Sequence, residues 1–120
     1  MEPNYLNPKG LKHRSDTVVF NGVAYVSGVV PADNSVTIAD QTRQALAQID
    51  ERLAAAGTDK SRLLSATIWM HDVNRDVAAF NEAWNSWLVA KREPARACVQ
   101  ATLQGGAQLE ISVIAAMPSQ

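Results

Sequence analysis

The opening dozen residues show no hydrophobic period, because Pro3, Pro8 and Gly10 interrupt any pattern, and residues 1–14 read as an irregular arm. Two β-rich runs follow, Thr17–Phe20 and Val23–Ser27, separated by Asn21-Gly22. That dipeptide suits the positive φ angles of a type I′ turn, so the pattern predicts a β-hairpin. Gly28–Ser35, with Pro31 and Asn34, ends it as a loop. The period then changes. Ile38, Ala45, Leu46, Ile49, Leu53 and Ala56 recur at helical spacing, with Thr37 placed to cap the start, Asp40 three residues on, and Gly57 at the stop. The other side of this helix (Gln41, Arg43, Gln44, Gln48, Glu51, Arg52) reads as solvent-facing.

Ser61–Leu64 reads as a short turn, Ala66–Met70 as a strand and Asp72–Asp76 as a polar loop. A second helix is expected from Asp76, with Val77, Phe80, Trp84, Trp87 and Leu88 on one side and an end before Pro94. Helices apolar on one side only pack on one face of a sheet. From Ala95 to Leu103, Arg96, Cys98, Gln100 and Thr102 alternate with Ala97, Val99, Ala101 and Leu103. Leu109–Ala116 alternates again, setting Glu110 and Ser112 opposite Leu109, Ile111 and Val113, and residues 104–108 read as a hairpin connection. The expected order is ββαβαββ, an α+β class, in one domain spanning residues 1–120.

Composition narrows the function. At 120 residues a chain can bury about two thirds of its surface without staples. Eleven basic against 12 acidic side chains give a net charge of -1, which argues against a nucleic-acid partner. No apolar run approaches the ~18 residues of a membrane span. Cys98 is the single cysteine, so no intrachain disulfide forms, and Met1-Glu2-Pro3-Asn4 does not begin a signal peptide; a cytoplasmic protein is expected. His13 and His71 lie far apart with no clustered carboxylates, so no metal site is expected.

Arg96 is the most informative position, since it interrupts a strand flanked by alanines and follows Pro94-Ala95. It either snorkels to water or a protein carboxylate, or acts as a forked donor for a ligand carboxylate. Glu110 is an outward strand residue or a base that positions water. If Leu103 pairs near Leu109, Glu110 lies opposite Thr102, roughly 20 Å along the strand from Arg96, so a shared site has to form between subunits. Cys98 shares the face of Arg96 and reads as a spectator thiol lining the same pocket. Ser27-Gly28 ends a strand where backbone can approach a ligand. Trp84 and Trp87 read as core, with one edge at a pocket rim.

The segments Tyr25-Val26-Ser27-Gly28, Gln41-Thr42-Arg43-Gln44-Ala45-Leu46, Pro94-Ala95-Arg96-Ala97-Cys98-Val99 and Leu109-Glu110-Ile111 resemble the RidA/YjgF family. The likeness runs from Thr17 to Ala116 and is most specific at Pro94-Ala95-Arg96 and Glu110-Ile111. It implies a chorismate-mutase-like α+β fold, a mixed sheet with two helices on one face, and a homotrimer with clefts between subunits. It also implies hydrolysis of reactive 2-imino or enamine acids, such as 2-iminopropanoate, to 2-oxo acids and ammonia, without cofactor or metal. By that likeness Arg96 clamps the substrate carboxylate with the Cys98 N–H, Glu110 orients or activates water, and Ser27 and Gly28 line the cleft. Deaminase members carry a tyrosine thirteen positions before the Ser-Gly pair; here that position is Arg14, which adds a second cation near the ligand. The alternative is a non-catalytic trimer that binds small carboxylates in a sensing or regulatory role.

Overall fold

The computed structural model describes residues 1–119. Its strands are β1 (Asn4–Leu6), β2 (Thr17–Phe20), β3 (Val23–Val29), β4 (Leu63–Met70), β5 (Ala95–Gln100) and β6 (Leu109–Ala116). Its helices are α1 (Ile38–Ala56) and α2 (Val73–Trp87). The six strands form one sheet in the order β1-β2-β3-β6-β4-β5. β4 and β5 run parallel because α2 carries the chain back between them, whereas the other neighbours are antiparallel. The arm thus contains one short strand that the Pro-interrupted pattern conceals.

Asn21 and Gly22 take φ of 51° and 78°, the paired positive angles that close the β2–β3 hairpin. In α1 the Thr37 hydroxyl accepts from the Asp40 N–H at 3.2 Å, and Gly57 at φ 91° returns its N–H to the last turn. Leu46, Ile49 and Leu53 of α1 are almost fully buried against Val26, Val29, Ile111 and Val113. Each such side chain contributes about 1.5–3 kcal/mol. The expected solvent side of α1 needs two corrections. Gln41 is buried, donating to Val36 O and to Gln108 Oε1, each at 2.8 Å. The Arg52 side chain is only 13% exposed. Both flank the buried stripe, and each finds polar partners there.

Helix α2 begins earlier than the polar run predicts. Asp72 accepts from the Arg75 N–H at 3.1 Å and is the cap, which leaves Asp76 buried in the first turn with the Arg75 fork on its carboxylate at 2.8 Å. β4 likewise starts at Leu63, after a 3-10 turn over Lys60–Arg62.

The connection after β5 is the main correction. Residues 104–108 do not fold β6 back onto β5; they carry it around the end of β4 to the other side. Ala101 N–H donates to Met70 O at 2.9 Å and His71 N–H to Gln108 O at 3.0 Å, so the two flanking chains grip the same strand end. Alternation fixes which face a side chain takes, not which strand lies beside it, and Gly105-Gly106 serves either connection.

Candidate functional site

The register around β4 decides where the candidate residues stand. Arg96 pairs with Ala66 and Cys98 with Ile68 on one side; Glu110 pairs with Trp69 on the other. Ala66, Ile68 and Met70 are the buried positions of β4, facing the helices, whereas Trp69 points to the uncovered face. Arg96 and Cys98 are therefore on the helix side and Glu110 is on the opposite face. Three residues along β4 and two strand spacings separate them, about 14 Å between backbones. This replaces the 20 Å separation expected from a β5–β6 hairpin and strengthens its consequence. One chain cannot present both groups to a small ligand.

Arg96 lies on the open edge of the sheet. Its guanidinium carbon stands 5.4 Å from the Phe80 ring centroid and 5.6 Å from that of Trp84, and among the described residues it forms no ion pair. Because the Ala101 N–H points at β4, and amides alternate along a parallel strand, the Cys98 N–H points to the open edge. The edge thus offers a charged fork and a free amide from neighbouring residues. The Cys98 side chain packs partly against the core.

Glu110 lies over a bulge in β3. Between Val26 and Val29 the register slips, so Ser27 and Gly28 together face one residue of β6. The Ser112 hydroxyl donates to Val26 O at 2.8 Å beside the bulge. The Glu110 side chain crosses Gly28 so closely that a Cβ there would collide with Oε2 and lie 3.0 Å from Cδ. Glu110 also borders a groove of about 390 Å³ lined by Trp69, Ala101, Thr102, Leu103 and Gln104. A larger depression of about 520 Å³ at the other end of β4 touches neither Arg96 nor Glu110, so size alone does not locate the site.

Ser27 and Arg14 belong to one network. The Ser27 hydroxyl donates to Ser15 O at 2.6 Å and its N–H to Asp16 O at 2.9 Å, which holds residues 14–16 beside the bulge. Arg14 meets Asp16 at 2.6 Å; Arg52 meets the same oxygen at 3.4 Å and donates to Ser27 O at 3.1 Å. The Arg14 hydrogen bond holds the Asp16 carboxyl below its ordinary range against the effect of burial, with Arg52 adding to it. Burial draws the Arg52 guanidinium down, opposed by Asp16. Two cations share one carboxylate, so the cluster is net positive. No sequence signal marks Asp16 or Arg52 as part of this cluster: neither has a motif, and Arg52 sits just beside the apolar stripe, three residues after Ile49.

Trp87 lies apart from the bulge. Its Nε1 donates to Asp50 Oδ2 at 3.0 Å across the α1–α2 groove, and its ring reaches Arg96 only through Trp84, 5.4 Å away. Lys60 Nζ stands 5.2 Å from the Trp87 centroid. No helix is long and apolar enough to cross a membrane, among the described residues.

A family model described as endoribonuclease L-PSP matches residues 6–117. The chain belongs to the RidA/YjgF family. This RidA/YjgF member is 42% identical over 104 residues to the RutC family protein YoaB of Escherichia coli, covering 86% of this chain and 90% of that one. It is 32% identical over 115 residues to a 2-iminobutanoate/2-iminopropanoate deaminase of Rattus norvegicus, covering 90% and 82%. A crystal structure of a YjgF-family protein from Neisseria meningitidis superposes with a TM-score of 0.92 at 38% identity, covering 100% of this chain and 98% of that one. The α+β fold with two helices on a mixed sheet is the family's fold, as the resemblance implied.

Proposed function

We propose that the protein hydrolyses reactive 2-imino and enamine acids to 2-oxo acids and ammonia, at sites formed between the chains of a homotrimer. The observation that carries this reading is an Arg96 that has no ion pair among the described residues, beside a Cys98 N–H that points to the open sheet edge. Such a fork binds a carboxylate bidentately. Glu110, held over Gly28 on the other face, comes from a neighbouring chain. The sheet face opposite the helices exposes Tyr5, Phe20, Tyr25 and Val99, an apolar surface suited to burial by other copies.

In this reading the substrate reacts as the iminium: Glu110 takes a proton from water as the water oxygen bonds to the imine carbon and the C=N electron pair moves onto nitrogen. Glu110 then returns that proton to the carbinolamine nitrogen, the C–N bond breaks to release ammonia, and the hydroxyl proton passes to solvent, leaving the 2-oxo acid. An imine is already electrophilic, so positioning and one carboxylate suffice. Gly28 and Ser27 line the cleft, Arg14 sets a second cation near Ser27 that suits substrates with a further anionic group, and Trp87 backs the aromatic row behind Arg96. The likeness to the rat 2-iminobutanoate/2-iminopropanoate deaminase supports this chemistry. The family description speaks of RNA cleavage, but the net charge of -1 gives no phosphate footprint.

The test generates imino acids from several amino acids with an amino-acid oxidase and follows their trapping by semicarbazide. The wild-type protein should hasten imine loss, and Arg96→Ala should abolish the acceleration while remaining folded and assembled. Carboxylate binding through Arg96 without turnover would instead establish the non-catalytic binder.

A further inference from the structure

Phe80, Trp84 and Trp87 recur at helical spacing on α2 and form a continuous row of rings. Phe80 and Trp84 stack with centroids 5.8 Å apart and planes inclined by 21°; Trp84 and Trp87 follow at 5.4 Å. Phe80 and Trp84 are almost fully buried, yet the Arg96 guanidinium is near both ring centroids at once. An arginine at an open edge has several rotamers and about 2 kcal/mol of side-chain entropy to lose when it grips a ligand. Two nearly parallel rings under the guanidinium restrict that freedom beforehand without using its N–H donors, since the attraction is to the ring faces.

We infer that Phe80 and Trp84 are positioning residues: a two-ring platform that fixes the Arg96 fork so that its N–H groups stay free for a substrate carboxylate. The inference rests on the reading of Arg96 as the carboxylate clamp. It assigns a role in ligand affinity to two side chains whose burial otherwise marks them as core. A carboxylate held this way contributes equally before and during the reaction, so a weaker platform raises KM and leaves kcat unchanged.

Phenylalanine 80 is replaced by mono-, di- and trifluorinated phenylalanine, which weakens the ring quadrupole stepwise at nearly constant shape. KM and kcat are measured on the imine made from 2-aminobutanoate, with the Kd of 2-oxobutanoate measured by calorimetry and thermal melting as the fold control. KM and Kd should rise stepwise, by about two- to fivefold at the trifluorinated ring, with kcat and melting temperature steady. The same series in Arg96→Lys, whose ammonium has no planar fork, should show a smaller rise. Trp84→Phe, which keeps a ring, should retain more affinity than Trp84→Leu. Flat KM and Kd across the series, with Arg96→Ala still inactive, would overturn the platform and spare the clamp. An Arg96→Ala protein with wild-type affinity would overturn both.

Discussion

Arg96 and Glu110 face opposite sides of one sheet, on the two strands that flank β4. A site that uses both must join two chains, and this makes a mixing experiment decisive. In the proposed trimer, Arg96→Ala and Glu110→Gln assemblies should each be inactive. Unfolded together in equal amounts and reassembled, they should recover about a quarter of the wild-type sites, because a working site needs an intact Arg96 from one chain and an intact Glu110 from its neighbour. Activity is read by imine trapping on the purified mixture. No recovery from correctly assembled mixed trimers would mean that the two residues do not share a site.

Gly28 is the residue on which the Glu110 position depends. A methyl group at residue 28 meets the carboxylate itself, and relief has to come from the side chain, since the β3–β6 ladder holds both backbones. Gly28→Ala should therefore lower kcat by a factor approaching that of Glu110→Gln, on the order of 10²-fold or more for a lost general base. Overpacking costs about 1–3 kcal/mol of stability, read by urea unfolding. The two substitutions should be strongly non-additive: once Gly28 is alanine, Glu110→Gln should cost little more. Full activity in Gly28→Ala would show that the carboxylate works from elsewhere.

The fold was legible wherever a local rule decided it. Asn21-Gly22 gave the hairpin, Thr37 and Gly57 bounded α1, and the alternation of Leu109–Ala116 gave β6 with its correct limits. What failed was long-range. Nothing in residues 95–116 says that a third strand lies between the two alternating runs, so β5 was matched to β6 and the Arg96–Glu110 separation was drawn along a strand. Asp72 and Asp76 are both plausible caps by residue type, and only the packing of Asp76 beneath Arg75 selects the earlier one. At the proposed site, Arg96, Cys98, Glu110 and Gly28 stand out by residue type and resemblance. The Arg96 platform was hidden because Phe80 and Trp84 at i and i+4 carry the same pattern as any core stripe.

The Arg14–Asp16–Arg52 cluster gives the acid stability of the protein a definite sign. Asp16 has a folded pKa below its ordinary value, chiefly through the Arg14 hydrogen bond, with Arg52 assisting and burial opposing. The folded chain therefore holds fewer protons at this carboxyl than the unfolded chain, whose Asp titrates near ~3.9. The stabilisation is fully present above that value and is lost as pH falls through the lower folded pKa. Asp16→Asn removes it at every pH, so the variant should be less stable at neutral pH and should show a shallower loss of stability between about pH 5 and 3. Arg52 adds to the neutral-pH cost, because its side chain, 13% exposed, would lose its carboxylate partner while keeping only the Ser27 carbonyl. Urea midpoints across the acid range measure both effects. Parallel curves for wild type and variant would mean that the carboxyl is not held by the two arginines, and the tether of residues 14–16 to the Ser27 bulge would then rest on the hydrogen bonds of the Ser27 hydroxyl and N–H.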